Sequence, residues 1–293
     1  MNGRRVAGIA CSLSLVLVQP TGATDRVWTD VPPSLLRRTC PDTAIPSRFH
    51  AVDLDNSRLE SILDLAEPEG AAGPETQPIV ELPLPDGTHG RFTVEASQIM
   101  APALAARFPE IRTYRGRGVD DPSAVASFDL TTKGFHGMIL SAGKTIFINP
   151  LPCGAIDRYM SFERSATPPS AGPRYRCQRR DQHAHGRASV SMKDSGPVLR
   201  TYRTAVAATG EYTEYHGGTK ADALSAIVVV MNRVNGIFRR EVSVAFELVD
   251  DNDRVIFTDP DSDPFTHGDT SICLLYTSPS PRDEQFHLVC RLL

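Results

Sequence analysis

His183 and His185 flank Ala184 in the run DQHAHGR, and imidazoles at that spacing can reach one metal ion. The polar, unpatterned surroundings favour a solvated loop over a metal site. Cys177 stands in the run Tyr175-Arg176-Cys177-Gln178-Arg179-Arg180, where the adjacent guanidinium groups favour the thiolate, the form that binds metals and attacks electrophiles. A disulfide or an ordinary free thiol is the plainer reading. Arg179-Arg180 has the composition of a processing site. Glu211 and Glu214, around Tyr212 and Tyr215, resemble a carboxylate pair for acid/base work, but an exposed turn after the first strand is the plainer reading. None of the 8 histidines is followed by Glu, and no two stand four residues apart, so no helix here presents two imidazoles one turn apart. No catalytic residue and no metal ligand is assigned.

The elements around these residues follow from pattern. Val198 to Thr209 is strand-like, and Thr219 with Asp222 three residues on is an N-cap signature. Leu224, Ile227, Val228, Met231, Val234, Ile237 and Phe238 keep helical spacing, with Asn232, Arg233, Asn235 and Arg239 on the other side. Val242, Val244, Phe246 and Leu248 alternate as one face of a strand. Strand, long helix and strand predict a right-handed βαβ crossover, a unit that cannot cover both faces of its sheet alone.

Upstream, Ile79 to Leu84, a turn at Pro85-Asp86-Gly87-Thr88, and Arg91 to Glu95 read as a hairpin. Pro102 to Phe108 reads as a short helical turn. Ala124 to Leu130, Phe135 to Leu140 and Thr145 to Ile148 continue a meander, giving a β-rich domain over 78–165. Residues 24–77 read as a proline-rich leader with one short helix near Leu59 to Leu65 and a linker. Residues 166–197 lack apolar period and read as an exposed connector, the kind of segment proteases cut.

Arg4 and Arg5, the apolar run Val6 to Val18, Pro20 and the small residues Thr21 to Ala23 have the layout of a secretory signal peptide over 1–23. The run is shorter than the roughly 20 residues that span a bilayer, so no membrane span is expected from it. Export predicts an extracellular or periplasmic protein in a disulfide-permissive compartment. A composition of 41% hydrophobic and 23% charged residues is that of a globular protein, and a net charge of -4 with interspersed signs gives no basic stripe for nucleic acid.

At the other end, Cys273 to Asp283, CLLYTSPSPRD, and His287 to Leu293, HLVCRLL, resemble the in-frame translation of two fixed segments of a transposase-type sequencing adapter separated by an index-length gap. Residues 273–293 are therefore read as adapter, and the chain as truncated. Setting aside Cys11 in the signal and Cys273 and Cys290 in that stretch leaves Cys40, Cys153 and Cys177, an odd number, so at least one forms no intramolecular pair.

The stretch from Val198 to Asp259, VLRTYRTAVAATGEYTEYHGGTKADALSAIVVVMNRVNGIFRREVSVAFELVDDNDRVIFTD, resembles the opening of a reprolysin-like, adamalysin-type zinc metalloprotease domain. Pro83 to Pro150, including Gly118 to Pro122 and Gly134 to Leu140, looks like the propeptide of bacterial members. The resemblance implies an α+β precursor: a β-rich meander as propeptide, then over 198–272 the N-terminal βαβ part of an α/β metzincin-type catalytic domain. It implies a secreted endopeptidase that hydrolyses protein or peptide substrates with a Zn2+-activated water in the full-length protein. From its place in the connector ahead of this stretch, Cys177 is a candidate inhibitory thiol for that zinc, although its surroundings do not reproduce the inhibitory cysteine motif of animal relatives, and Arg179 and Arg180 are the candidate processing point by composition alone. The family's His-Glu-x-x-His-x-x-Gly-x-x-His motif does not occur here, so the fragment itself is expected to be inactive. A rival reading is an exported β-rich binding or adhesion module without catalytic activity, since fold does not fix function.

Overall fold

The computed structural model describes residues 26–32, 45–71, 73, 75–151, 157–167 and 198–264. The signal stretch, Cys177, Arg179, Arg180, His183, His185 and the adapter-like 273–293 lie outside the described residues.

Strands β1 (Trp28–Asp30), β2 (His50–Leu54), β3 (Ile79–Pro83), β4 (His89–Ala96), β5 (Arg112–Gly118), β6 (Val125–Thr131), β7 (Gly134–Ser141), β8 (Lys144–Pro150) and β9 (Arg158–Glu163) form one antiparallel sheet. Its order is β1-β2-β9-β8-β7-β6-β5-β4-β3. β3 to β8 run as a meander in which each strand pairs with the next, and short turns join β3 to β4, β6 to β7 and β7 to β8. At the first of these, Gly87 takes φ 88 and Asp86 accepts hydrogen bonds from Thr88 N and Oγ1 at 3.0 and 2.6 Å. The sheet curls until its edges approach: Trp28 Nε1 on β1 donates to Glu81 O on β3 at 2.8 Å, and Ser161 Oγ donates to Pro83 O at 2.8 Å. Trp28, Phe128, Phe135 and Tyr159 fill the interior, with Trp28 edge-on to Phe135 at 5.2 Å and to Tyr159 at 5.7 Å.

β1 and β2 come from the stretch read as leader, so the sheet begins N-terminal to residue 78. β1 is three residues long, too short for an alternation to register. In the same stretch α1 (Asn56–Leu63) starts at Asp55, whose side chain accepts from Arg58 N, and buries Leu59 and Leu63 against the sheet interior.

The second unit contains β10 (Arg200–Thr204), α3 (Gly210–Tyr215), α4 (Lys220–Val242) and β11 (Val244–Leu248). β10 and β11 pair in parallel, with Arg200 opposite Val244 and Thr204 opposite Leu248. α4 opens at Thr219, whose hydroxyl accepts from Asp222 N at 3.1 Å, and closes at Ser243 in the left-handed conformation, φ 52. It is long and apolar enough to cross a membrane by length and composition, but 61% of its apolar window is buried inside the protein, as in a core helix.

Candidate functional site

α4 lies between the two units, and its two sides do different work. Leu224, Ile227, Val228 and Met231 enter a cluster with Leu248 of β11. The opposite side, read from sequence simply as the polar side, is not a solvent face. Asn232 and Asn235 are 3% and 2% exposed. For Asn232 the reason is the alternation along β6: Ala126, Phe128 and Leu130 point into the sheet interior, which leaves Ser127 and Asp129 on the outer face that α4 covers, whereas Asn235 is bonded to Phe246 of β11.

Along this seam Asn232 Nδ2 donates to Phe128 O at 2.9 Å and to Asp129 Oδ2 at 3.2 Å. Arg233 Nη2 donates to Asn149 Oδ1, and its guanidinium lies 5.2 Å from the centre of the Phe147 ring. Burial pushes the Arg233 guanidinium down from its ordinary value, against the opposing pull of Asp129. Arg239 pairs with Glu69, which also pairs with Arg115. Nearer the start of α4, Lys133 Nζ stands 2.9 Å from Asp222 Oδ1, and this bond with that from Thr219 holds the Asp222 carboxyl below its ordinary range. Gly236 marks the closest approach: a Cβ there would stand 2.6 Å from Ser127 Oγ and 2.9 Å from Met138 Cε.

The seam holds the units together through buried polar groups, each costly to leave unpaired. Asp129 Oδ1, His136 Nδ1 and Arg233 Nε are buried without a hydrogen-bond partner among the described residues. Asp129 Oδ1 and His136 Nδ1 face each other at 3.5 Å. Nothing in this arrangement pairs a nucleophile with a base. Glu211 and Glu214 sit exposed on α3 rather than on a turn, Thr209 capping that helix by accepting from Tyr212 N. Among the described residues no group of three or more His, Cys, Asp or Glu is arranged to hold a metal ion. The described residues therefore do not fit a zinc centre, and no chemical step is derived through one.

With this geometry in place, residues 198–285 match the family model described as Metallo-peptidase family M12B, Reprolysin-like. The matched stretch holds β10, α3, α4 and β11, and it runs on across the first part of the adapter-like segment. No curated protein matches the chain. The match supports a metallopeptidase kind of function.

Proposed function

We propose that this chain is the front part of the precursor of a secreted, zinc-dependent metalloendopeptidase, and that its β-rich unit is an inhibitory and chaperoning propeptide. The family match over 198–285 carries the reading. The seam along α4 supports the second half, because Asn232, Arg233 and Arg239 of the matched segment take partners from the β-rich unit. In this reading residues 1–23 direct export, Arg179-Arg180 is the release point and Cys177 caps the zinc before release. The zinc ligands and the pocket that selects protein or peptide substrates belong to sequence following Ser271.

Long sequencing reads across the locus test this. The expected frame departs from the present one near Ser271 or Ile272, adds strands and a helix, and then presents two histidines one helical turn apart with a glutamate beside the first. A frame that continues without such a pair removes the peptidase reading and leaves a binding or adhesion module.

A further inference from the structure

Between β4 and β5 the chain leaves the large sheet for residues 97–111. The root of this excursion is pinned: Ser97 N donates to Thr113 O at 2.9 Å, and Thr113 Oγ1 donates to Ser97 O at 2.7 Å. From there Ile99, Met100, Leu104 and Ile111 enter the hydrophobic cluster built by α4, β11 and the segments around Ala208 and Ile256. That cluster shares no residue with the one inside the sheet. Ile99, Met100, Leu104 and Ile111 of the β-rich unit thus complete the core that the second unit builds from its own Ala208, Leu224, Ile227, Val228, Met231, Leu248 and Ile256.

The backbone joins in as well. Leu248 N donates to Ile99 O at 2.7 Å, and Ala101 N donates to Leu248 O at 2.8 Å, making a parallel bridge between Met100 and Leu248. Both Leu248 groups point away from β10, whose bond from Val249 N to Thr204 O lies on the other edge of β11. Ile99 to Ala101 is therefore a strand added to the outer edge of β11. α2 (Pro102–Arg107) follows at once, with Ala103 N donating to Asp250 Oδ1 at 3.3 Å and Arg107 Nη2 donating to Asp253 Oδ1 at 2.7 Å.

We infer that the outer edge of β11 is a strand-addition site for an extended apolar peptide followed by a helical turn. It is filled in cis by Ile99 to Leu104, and residues 97–111 are the clasp that keeps the β-rich unit on residues 198–264. Main-chain bonds to Leu248 supply the attachment, and the buried Ile99 and Leu104 side chains select the peptide. This rests on the geometry and stands whether or not the chain is a peptidase precursor.

Amide hydrogen exchange on the full chain tests it, with the single tryptophan, Trp28, as a separate reporter of the large sheet because it is 2% exposed inside that core. Leu104→Asp is expected to speed exchange of amides in 224–248 at least tenfold while Trp28 emission stays at its wild-type wavelength. A synthetic peptide of residues 97–111 added in excess is expected to restore the protection. Ala101→Pro is the milder variant: Ala101 already has φ -58, so proline fits the backbone and removes the donor to Leu248 O. It is expected to speed exchange at Leu248 and Val249 several-fold. Arg112→Ala, which removes ion pairs to Glu60 and Asp64 outside the clasp, is expected to leave exchange in 224–248 unchanged. Unchanged exchange in both clasp variants overturns the proposal. So does a Trp28 shift that accompanies the exchange in Leu104→Asp, or a failure of the peptide to restore protection.

Discussion

Asn235 and Phe246 exchange two hydrogen bonds: the Asn235 Nδ2 donates to Phe246 O at 2.8 Å, and Phe246 N donates to Asn235 Oδ1 at 2.8 Å. The side-chain amide of α4 stands in for a neighbouring strand on the outer edge of β11, and two residues further on Ile99 and Ala101 serve Leu248 in the same way. Asn252 repeats the device, accepting from Val206 N at 2.7 Å and donating to Val206 O at 3.2 Å. Because Asn235 is 2% exposed, Asn235→Ala leaves both backbone groups of Phe246 without their partner. The expected loss is about 1–3 kcal/mol of stability, read as a lower urea midpoint for the exchange of α4 and β11 amides. Asn235→Asp, which keeps the acceptor and loses the donor, is expected to be at least as harmful because it buries a charge. Wild-type protection in Asn235→Ala would show the exchange to be incidental.

Gly236 makes a steric prediction. A methyl group there meets only Ser127 Oγ and Met138 Cε under 3.0 Å, and both are ends of side chains that can turn away. Gly236→Ala also gains helix propensity of about 1 kcal/mol, so it is expected to lie within about 1 kcal/mol of wild type. Gly236→Leu cannot be absorbed in this way and is expected to cost about 1–3 kcal/mol by pushing α4 off β6 and β7. Thermal melts of the two variants decide it, and equal midpoints would mean that the helix is held less closely than described.

How much of this was legible beforehand depends on the range of each interaction. The N-cap of α4 at Thr219, its apolar stripe and the Gly87 turn are local devices, and local pattern gives them directly. β5, RTYRGRG, is polar or glycine at all but one position, and β9, RYMSFE, mixes the two types without alternating, so no pattern announces them; they are strands because both neighbours in the sheet demand a partner. The burial of Asn232 and Asn235 depends on β6 and β11 arriving from elsewhere in the chain, which helical spacing cannot show. The clasp was half visible: Ile99, Met100 and Leu104 are an apolar group between two strands, but its destination lies more than a hundred residues away.

The large sheet should be acid-sensitive through His89. Burial lowers its pKa below the ordinary 6.5, with His50 and Arg26 adding to the effect and Asp30 and Glu81 opposing it. The unfolded chain then takes up a proton near 6.5 that the folded state resists, so stability is full above that pH and falls as pH drops below it. His89→Gln is expected to flatten the urea midpoint, followed by Trp28 emission, between about pH 7.5 and 5.5. The lowered Asp86 carboxyl, bonded by Thr88, contributes only as pH falls below 3.8, outside that window. An unchanged slope in His89→Gln would rule His89 out as its origin.

Latency through Cys177 predicts a contrast between two cysteines in the complete precursor. Cys177→Ser is expected to raise peptidase activity before any cleavage, whereas Cys153→Ser is expected to leave it silent. Equal latency in wild type and Cys177→Ser would remove the capping role.

The 293-residue chain is expected to bind no stoichiometric zinc and to hydrolyse no casein. A catalytic zinc needs three protein ligands held together with a fourth position open to water. None of the 8 histidines of this chain has a second one helical turn away, and none precedes a glutamate. Among the described residues the His50 ring is already engaged, with Nδ1 2.9 Å from Leu84 O and Nε2 2.8 Å from Asp30 Oδ1. His89 and His136 are packed in the sheet, and the His216 ring lies tilted against Tyr212 with centroids 4.4 Å apart. His183, His185, His267 and His287 lie outside the described residues, and no two of them stand one helical turn apart in the sequence. Metal analysis after dialysis, with a casein assay run with and without chelator, decides the point. One equivalent of retained zinc with chelator-sensitive hydrolysis would place a working centre within these residues and refute the proposal that its ligands follow Ser271.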